Sequence, residues 1–157
     1  MGIVKLIGVF IMLLVSTSAN ADIAGKARVV DGDTIWIDRA KIRLHGIDAP
    51  EIKQTCRTKK GKEQKCGILA KQALEQLVKR HGVICKGKKT DRYKRLIAVC
   101  YVKSLNINEQ MVADGWALAY RKYSKDYVRA EAYAKSRHKG MWNSKFKKPW
   151  EWRRARP

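Results

Sequence analysis

Acidic side chains gather in one short stretch of the sequence, where they could hold a metal ion against a phosphate ester. Asp33 and Asp48 offer carboxylate oxygens, which are the ligands of hard cations. Completed by a backbone carbonyl and water molecules, two carboxylates suit calcium, which tolerates irregular geometry better than magnesium does. A bound cation polarises phosphorus and lowers the pKa of a bound water. Glu51, three residues after Asp48, is near enough to orient or deprotonate that water.

Two arginines, Arg43 and Arg95, supply the other half of such a site. The guanidinium group is a planar fork of donors that binds a phosphate through two hydrogen bonds and matches the charge that develops during displacement. Lysine does this less well. Singly, residues 31–34 could be an ordinary turn and Arg43 could lie on a solvated face. Together, these residues favour the chemical interpretation.

The acids and Arg43 are predicted to lie on one β-hairpin. Residues 28–38 and 41–47 alternate apolar and polar side chains around a tight turn at residues 38–40. Strict alternation places Asp33 on the face of the apolar residues of its strand, whereas it places Arg43 opposite the apolar residues of the second. We therefore expect a β-bulge or a strong twist to bring the two side chains together.

Helices and a second hairpin are predicted after the first one. Apolar residues recur at helical spacing after Cys66, and Asn106 with Glu109 is typical of a helix N-terminus. The predicted elements are helices at 66–80, 106–115 and 126–139, and strands at 83–85 and 96–102 joined by a basic loop at 86–95. Strands come first, and alternating pieces of helix and strand follow. We therefore predict an α+β fold, a small mixed barrel with helices packed on it.

The two ends of the chain differ in composition from its middle. Residues 1–21 begin with one lysine, continue with an apolar run and end in Ala19-Asn20-Ala21, which is typical of a secretory signal peptide. The apolar run is short for a membrane span of about 20 residues, although a retained anchor is the alternative. We predict a signal peptide at 1–21, one domain at 22–144 and a basic aromatic tail at 145–157. The tail either packs through its tryptophans or forms a mobile basic arm.

The cysteines fit an exported protein. The chain has four, Cys56, Cys66, Cys85 and Cys100, and without a C-x-x-C spacing two disulfides are favoured over a zinc site. Four cysteines allow three pairings. Cys85 and Cys100 flank the second hairpin and would face each other across it. We therefore expect Cys85 to pair with Cys100 and Cys56 with Cys66.

The net charge is strongly positive. It is +21 for the whole chain and +20 without residues 1–21, because that segment carries one lysine and no acid. This excess goes beyond what solubility requires and implies a polyanionic partner, with nucleic acid the leading candidate. A merely solvated basic surface, or binding to an anionic envelope or polysaccharide, is the alternative. Charge alone specifies no reaction.

Six motifs in order along the chain identify a family. They are V-V-D-G-D-T, R-L-H-G-I-D-A-P-E, C-G-I-L-A-K-Q-A-L, T-D-R-Y-K-R-L-I-A, M-V-A-D-G-W-A-L-A-Y and G-M-W. Together they resemble the thermonuclease family, the staphylococcal nuclease-like enzymes, over nearly all of the chain after residue 21. The resemblance implies a five-stranded OB-fold β-barrel with three packed α-helices.

The resemblance also implies a role for each matching residue. Asp33, Asp48 and the backbone carbonyl of Ala49 would hold one calcium ion, with Asp31 as a supporting acid. Glu51 would be the general base, and the implied phosphate-binding arginines and nucleotide-lining residues are Arg43, Arg95, Thr34, Tyr93 and Tyr120. One position departs from the family pattern: Lys94 stands where a glycine is common before the second arginine, and lysine is less suited to positive φ.

The predicted function is therefore an exported, calcium-dependent, sugar-non-specific endonuclease. It would cut DNA and RNA by in-line attack of water, leaving 3′-phosphates by family resemblance, and would act as a monomer with no membrane span after processing. The nearest rival is an exported nucleic-acid-binding OB-fold module that lacks catalysis, and a more distant one is a cationic envelope-binding protein. Whether export ends in the periplasm or the medium, and whether magnesium replaces calcium, stay open.

Overall fold

The computed structural model describes residues 22–155, so the predicted signal peptide lies outside the described residues. Within this range the chain forms four α-helices, and the α+β class is confirmed. The helices are α1 (Cys66–Val78), α2 (Ile107–Ala113), α3 (Val128–Ser136) and α4 (Pro149–Arg154), with a short 3-10 helix at Gly140–Asn143. None of them is long and apolar enough to cross a membrane.

Twelve strands, most of them short, are found in the same residues. They are β1 (Ile23–Gly25), β2 (Ala27–Asp31), β3 (Thr34–Ile37), β4 (Ala40–Leu44), β5 (Ile47–Asp48), β6 (Cys56–Thr58), β7 (Glu63–Gln64), β8 (Val83–Thr90), β9 (Leu96–Val102), β10 (Leu105–Asn106), β11 (Leu118–Ala119) and β12 (Ser144–Lys145). The expected counts of five strands and three helices therefore differ from the structure. Two-residue strands in the connections and a helix in the tail account for much of the excess.

A seven-stranded sheet forms the centre of the molecule. Its order is β1-β8-β9-β4-β3-β2, and β10 pairs with β9. The pairing of β4 with β9 is parallel, and the other pairings are antiparallel. Strands β1 and β2 are the ends of this order, so the pairings recorded for residues 22–155 describe an open sheet rather than a closed barrel.

The first hairpin has one more turn than the sequence predicted. Residues 28–38 are not one strand, because the chain reverses at Gly32 and Asp33 between β2 and β3. A Cβ atom on Gly32 would lie 2.6 Å from the Cβ of Ala49 and 2.9 Å from that of Ala70, so only glycine lets this turn pack so closely. The register of β2 and β3 also shifts between Val29 and Asp31, as in a β-bulge. Asp33 therefore lies in a turn and does not follow the alternation of side chains along a strand. The expected placement of Asp33 and Arg43 on different faces of the hairpin does not arise.

The second hairpin is longer than predicted. Half of the predicted basic loop at 86–95 is strand, because β8 continues to Thr90, which pairs with Leu96. Basic side chains do not prevent strand formation when they are exposed, and only residues 91–95 form the turn. Lys94 has φ +60°, the conformation for which the family pattern suggests glycine.

The helices pack as their sequence patterns predicted. Helix α1 packs against β2, and Ala70, Leu74 and Val78 on one of its faces are buried. At the start of α2 the side chain of Asn106 accepts a hydrogen bond from the backbone of Glu109, 3.2 Å away. The predicted starts of α1 and α2 agree with the structure. The helix expected at 126–139 is shorter, because it ends at Ser136 and a 3-10 helix follows.

Two disulfides cross-link the chain, one of them within the central sheet. Cys85 and Cys100, which are paired residues of β8 and β9, form one of them, and Cys56 and Cys66 form the other. The second bond joins β6 to the first residue of α1. Both bonds are buried, so each closes a loop against the apolar core.

The tail after residue 144 packs on the molecule. Pro149 is buried at the first position of α4, where its fixed φ suits a helix start. The ring of Trp150 stacks on Tyr120 with 5.4 Å between centroids and 6° between planes. Phe146 meets Trp142 edge-on, with centroids 5.3 Å apart. Of the two alternatives for the tail, packing through aromatic rings describes residues 145–155.

Candidate active site

Two acids meet on one arginine at the centre of the candidate site. Nη1 of Arg43 forms an ion pair with Asp33, and Nη2 donates a hydrogen bond to Oδ1 of Asp48 at 2.9 Å. The same Nη2 donates to the carbonyl oxygen of Ile47 at 3.2 Å. The Asp48 side chain has no exposed surface, and those of Asp33 and Arg43 are 9% and 15% exposed. The predicted meeting of the acids and Arg43 is therefore present in the structure.

The backbone around Asp33 fixes the direction of its carboxylate. Oδ2 accepts a hydrogen bond from the backbone N–H of Ala49 at 2.7 Å, and Oδ1 accepts one from the hydroxyl of Thr34 at 3.1 Å. Thr34 in β3 pairs with Arg43 in β4. Each oxygen of Asp33 therefore has a protein donor. Through these contacts the turn at residues 32–33 lies against both the strand that carries Arg43 and the segment that carries Asp48 and Ala49.

Burial and like charges perturb the ionisation of these acids. Burial and the charge of Asp33 raise the pKa of Asp31 to about 7. Burial also raises the pKa of Asp48, although hydrogen bonds from Arg153 oppose that effect. Burial disfavours the charged form of Arg43, but the charges of Asp33 and Asp48 outweigh it and raise the pKa of this arginine. Asp33 and Asp48 thus stabilise the positively charged form of Arg43 between them.

Glu51 is connected to the acid pair through Arg153, which the sequence analysis did not single out. Nη1 of Arg153 donates to Oε1 of Glu51 at 2.7 Å and to Oδ1 of Asp48 at 3.1 Å, while Nη2 donates to Oδ2 of Asp48 at 2.8 Å. Arg153 lies in α4, where the sequence has no periodic pattern. Pro149 was the one local signal of a helix there, and nothing local indicated its partner.

Arg95 is held away from the acid pair. Its Nε and Nη2 both lie 2.7 Å from Oδ2 of Asp91, and its guanidinium carbon lies 5.4 Å from the centre of the Tyr93 ring. Leu96, the next residue, pairs with Ile42 beside Arg43. The backbone therefore brings Arg95 to the neighbourhood of the site, but its side chain pairs with Asp91 rather than with Asp33 or Asp48. Tyr93 is 63% exposed.

A groove lined by basic and aromatic side chains begins at Arg153. We call it the basic groove; it has a volume of about 1090 Å³ and is lined in part by Arg92, Tyr120, Arg121, Lys122, Glu131, Lys135, Trp142, Lys148, Trp150, Arg153 and Arg154. Its one acid, Glu131, is paired with Arg121 at 2.6 Å. Tyr120 therefore lies in the groove, stacked on Trp150, rather than beside the acid pair.

The donor set fits a hard cation that takes part of its shell from the solvent. Within residues 22–155, no three acidic, histidine or cysteine side chains form a complete metal site. Asp33 and Asp48 nevertheless offer two carboxylates that converge on one point, the guanidinium group of Arg43. Two carboxylates with a carbonyl and waters suit calcium or magnesium, whereas soft metals prefer nitrogen and sulfur.

Comparison with known proteins identifies the family. A model of the family described as Staphylococcal nuclease homologue matches residues 41–144, which is more than half of the chain. The chain belongs to this staphylococcal nuclease homologue family. The family prediction from the six motifs is confirmed. The match includes Arg43, Asp48, Glu51 and Arg95, while Asp33 precedes it and Arg153 follows it.

Individual relatives of this staphylococcal nuclease homologue extend the match over most of the chain. It is 35% identical over 164 residues to Micrococcal nuclease of Shigella flexneri, covering 92% of this chain and 88% of that protein. It is 34% identical over 162 residues to Protein ParB of Escherichia coli, covering 91% and 86%. It is 36% identical over 135 residues to an Uncharacterized endonuclease of Haemophilus influenzae, covering 81% and 70%.

Proposed function

We propose that this staphylococcal nuclease homologue is a calcium-dependent endonuclease that hydrolyses phosphodiester bonds of DNA and RNA. One observation carries the proposal: two buried carboxylates, Asp33 and Asp48, converge on Arg43, with Glu51 joined to Asp48 through one guanidinium group. The names of two relatives, Micrococcal nuclease and Uncharacterized endonuclease, support the reaction class. The chain acts as a hydrolase of phosphate esters.

The acids have separate tasks in this reaction. Asp33, Asp48 and the backbone carbonyl of Ala49 would hold the cation, and Asp31 would be a supporting acid beside them. Calcium, when bound there, polarises the phosphate and lowers the pKa of a water molecule. Glu51 orients that water and accepts its proton on a carboxylate oxygen, a task supported by the partial exposure of its side chain.

The two arginines bind the phosphate. The fork of Arg43 lies between the carboxylates, so a phosphate oxygen that replaces one of its partners receives a charge-assisted hydrogen bond. Arg95 leaves Asp91 and binds the opposite side of the phosphate as negative charge develops. Thr34 keeps Asp33 in place through its hydroxyl, and Tyr93 lies beneath the Arg95 guanidinium.

The substrate follows the basic groove, which supports a preference for unpaired strands. Positive side chains bind a backbone of phosphates, and the aromatic rings of Tyr120 and Trp150 offer surfaces on which bases can stack. Stacking of this kind requires bases that are not paired. Recognition therefore depends on charge rather than on sequence, and the 3′-phosphate products are inferred from the family.

Export completes the proposal. Residues 1–21 are removed as a signal peptide, and residues 22–144 with the tail 145–157 form a monomeric enzyme in the periplasm or the medium. The two disulfides support an oxidising compartment, because such bonds are rare in the cytosol. Two rival functions are a nucleic-acid-binding OB-fold module without catalysis and an envelope-binding cationic protein.

A metal-switched assay with one variant separates these functions. Residues 22–157 are incubated with plasmid DNA, single-stranded DNA or RNA in calcium, in magnesium or with a chelator. We expect calcium-dependent cutting that the chelator abolishes, with ends that a polymerase extends only after phosphatase treatment. Glu51→Gln should cut about 10²–10⁴-fold more slowly while binding the substrate normally.

Glu63→Gln is the matched control, because Glu63 is exposed on β7 and the substitution changes charge equally. It should cut as fast as wild type. Binding without cutting in every metal condition would favour the non-catalytic module, and cutting that resists the chelator would contradict the metal-dependent mechanism. Equal rates for Glu51→Gln and wild type would remove Glu51 from its assigned role.

A further inference from the structure

Arg153 covers the acids that the proposed function assigns to the cation and to the water. Its guanidinium group donates to both oxygens of Asp48 and to Oε1 of Glu51, over 2.7–3.1 Å. Asp48 is fully buried, so its oxygens are reached only from within the site, whereas Arg153 is 40% exposed. Arg153 therefore lies between the solvent and the carboxylates of Asp48 and Glu51.

The element that carries Arg153 is a short helix outside the central sheet. Helix α4 has six residues, and a helix this short is not stable by itself. It packs through buried Pro149 and through the stacking of Trp150 on Tyr120, and its own first turn is closed by the hydrogen bond from the backbone of Lys148 to Glu151 at 3.4 Å. Arg43, in contrast, belongs to a central strand of the sheet. Of the two arginines on Asp48, Arg153 is the more exposed and is carried by the shorter, peripheral element, so its displacement disturbs the sheet least.

We propose that Arg153 is a further residue of the active site, an internal cation that competes with the divalent ion for Asp48 and Glu51. The inference rests on the proposed function. A carboxylate oxygen can accept a hydrogen bond and coordinate a metal at the same time, but the guanidinium group of Arg153 occupies the solvent side of Asp48 and Glu51, and its positive charge repels a divalent ion that binds there. Ion binding and the contact of Arg153 with Asp48 therefore weaken each other.

Two consequences follow from this competition. The apparent affinity for calcium is lower than the intrinsic affinity by the fraction of molecules in which Asp48 is uncovered. By reciprocity, calcium weakens the attachment of α4 as much as that attachment weakens calcium binding. Arg153 thus sets the calcium concentration at which the enzyme becomes active, and helix α4 responds to calcium.

Calorimetric titration of residues 22–157 with calcium, without substrate, tests the first consequence. Arg153→Ala should bind calcium about tenfold more tightly than wild type, because the competitor is gone. Arg153→Lys should fall between them, since lysine keeps the charge but loses the fork. Arg154→Ala is the matched control: it removes the same charge from the next residue of α4, which makes no hydrogen bond to Asp48 or Glu51 in residues 22–155.

Amide hydrogen exchange tests the second consequence on the same proteins. Saturating calcium should speed exchange in residues 149–154 of wild type by several-fold. In Arg153→Ala, residues 149–154 should exchange fast without calcium, and added calcium should not change the rate. A calcium affinity of Arg153→Ala within twofold of Arg154→Ala would overturn the proposal, and so would exchange in wild-type α4 that ignores calcium. If no protein binds calcium, the proposed calcium-dependent function fails as well; equal affinities with retained cutting overturn the role of Arg153 alone.

Discussion

The side chain of Arg43 satisfies several buried groups at once. It binds Asp33 and Asp48 and donates to the carbonyl oxygens of Ile47 and of Asp33 itself. Removal of such a partner takes a positive charge away from two buried carboxylates, and breaking a buried ion pair in this way typically costs about 3–5 kcal/mol. A substitution that keeps the positive charge is therefore the informative one. It removes the two parallel donors of the guanidinium group while the protein stays folded.

Arg43→Lys should leave the protein folded and strongly reduce cutting. Lysine supplies positive charge to the acids but not the two parallel donors that a phosphate requires. We expect a loss of about 10²–10³ in kcat, with the free energy of unfolding lowered by about 1–2 kcal/mol. Steady-state rates and urea unfolding measure the two effects, with Lys41→Arg, on the same strand, as control. A kcat unchanged by Arg43→Lys would show that the fork is not used.

The raised pKa of Asp31 makes its contribution to stability depend on pH. The folded protein holds the Asp31 proton up to about pH 7, whereas the unfolded chain releases it near 3.8. Between these values the folded state binds more protons, so this group lowers the free energy of unfolding as pH rises. Above about pH 7 this decrease in the free energy of unfolding is complete, and below pH 3.8 it is absent.

Asp31→Asn should remove that loss. The amide keeps an acceptor for the backbone N–H of Asp33, which now donates to Oδ1 of Asp31 at 3.0 Å. We expect the variant and wild type to be similarly stable at about pH 4, and the variant to be more stable by on the order of 2 kcal/mol at about pH 8. Urea unfolding in a chelator, at a series of pH values, measures the difference. A difference that does not grow with pH would contradict the raised pKa.

The elements that could be predicted are those whose signals are local. Helix α2 has an N-cap at Asn106 and a glycine at positive φ just beyond its end, and both are visible in a few residues. The extra turn at Gly32 depends on close packing against Ala49 and Ala70, which alternation within a strand does not reveal. Arg153 lies 102 residues from Glu51 in the sequence, so no local pattern connects them.

The turn between β8 and β9 carries a local strain that the sequence did indicate. Lys94 occupies the left-handed region, which costs a residue with a Cβ roughly 1–2 kcal/mol. Lys94→Gly should therefore raise the free energy of unfolding by about 0.5–1 kcal/mol, since the extra entropy of glycine in the unfolded chain offsets part of the gain. Lys89→Gly, at an exposed position of β8 that pairs regularly with Ile97, should lower it by a similar amount. Thermal or urea unfolding of both variants tests the opposite signs.

At the scale of the whole molecule, the effect of the net charge of +21 on binding depends on where the basic residues lie. Basic residues are spread over much of the surface, and in the basic groove they alternate with partly exposed aromatic rings and reach Arg153, which contacts Asp48 and Glu51. Each phosphate neutralised by a bound cationic side chain releases counterions, so the logarithm of affinity falls with the logarithm of salt concentration. Groups that contact the strand contribute to that slope, and distant groups contribute little.

Two triple variants of equal charge separate contact from background charge. Lys122, Lys135 and Lys148 line the basic groove, whereas Lys59, Lys60 and Lys62 are exposed on the loop beside β6. Replacing the three groove lysines by glutamine, in a Glu51→Gln background, should reduce the salt slope for single-stranded DNA by about 2. The loop triple should leave the slope nearly unchanged. Fluorescence anisotropy over a salt series gives both slopes, and equal slopes would mean that the strand does not run through the basic groove.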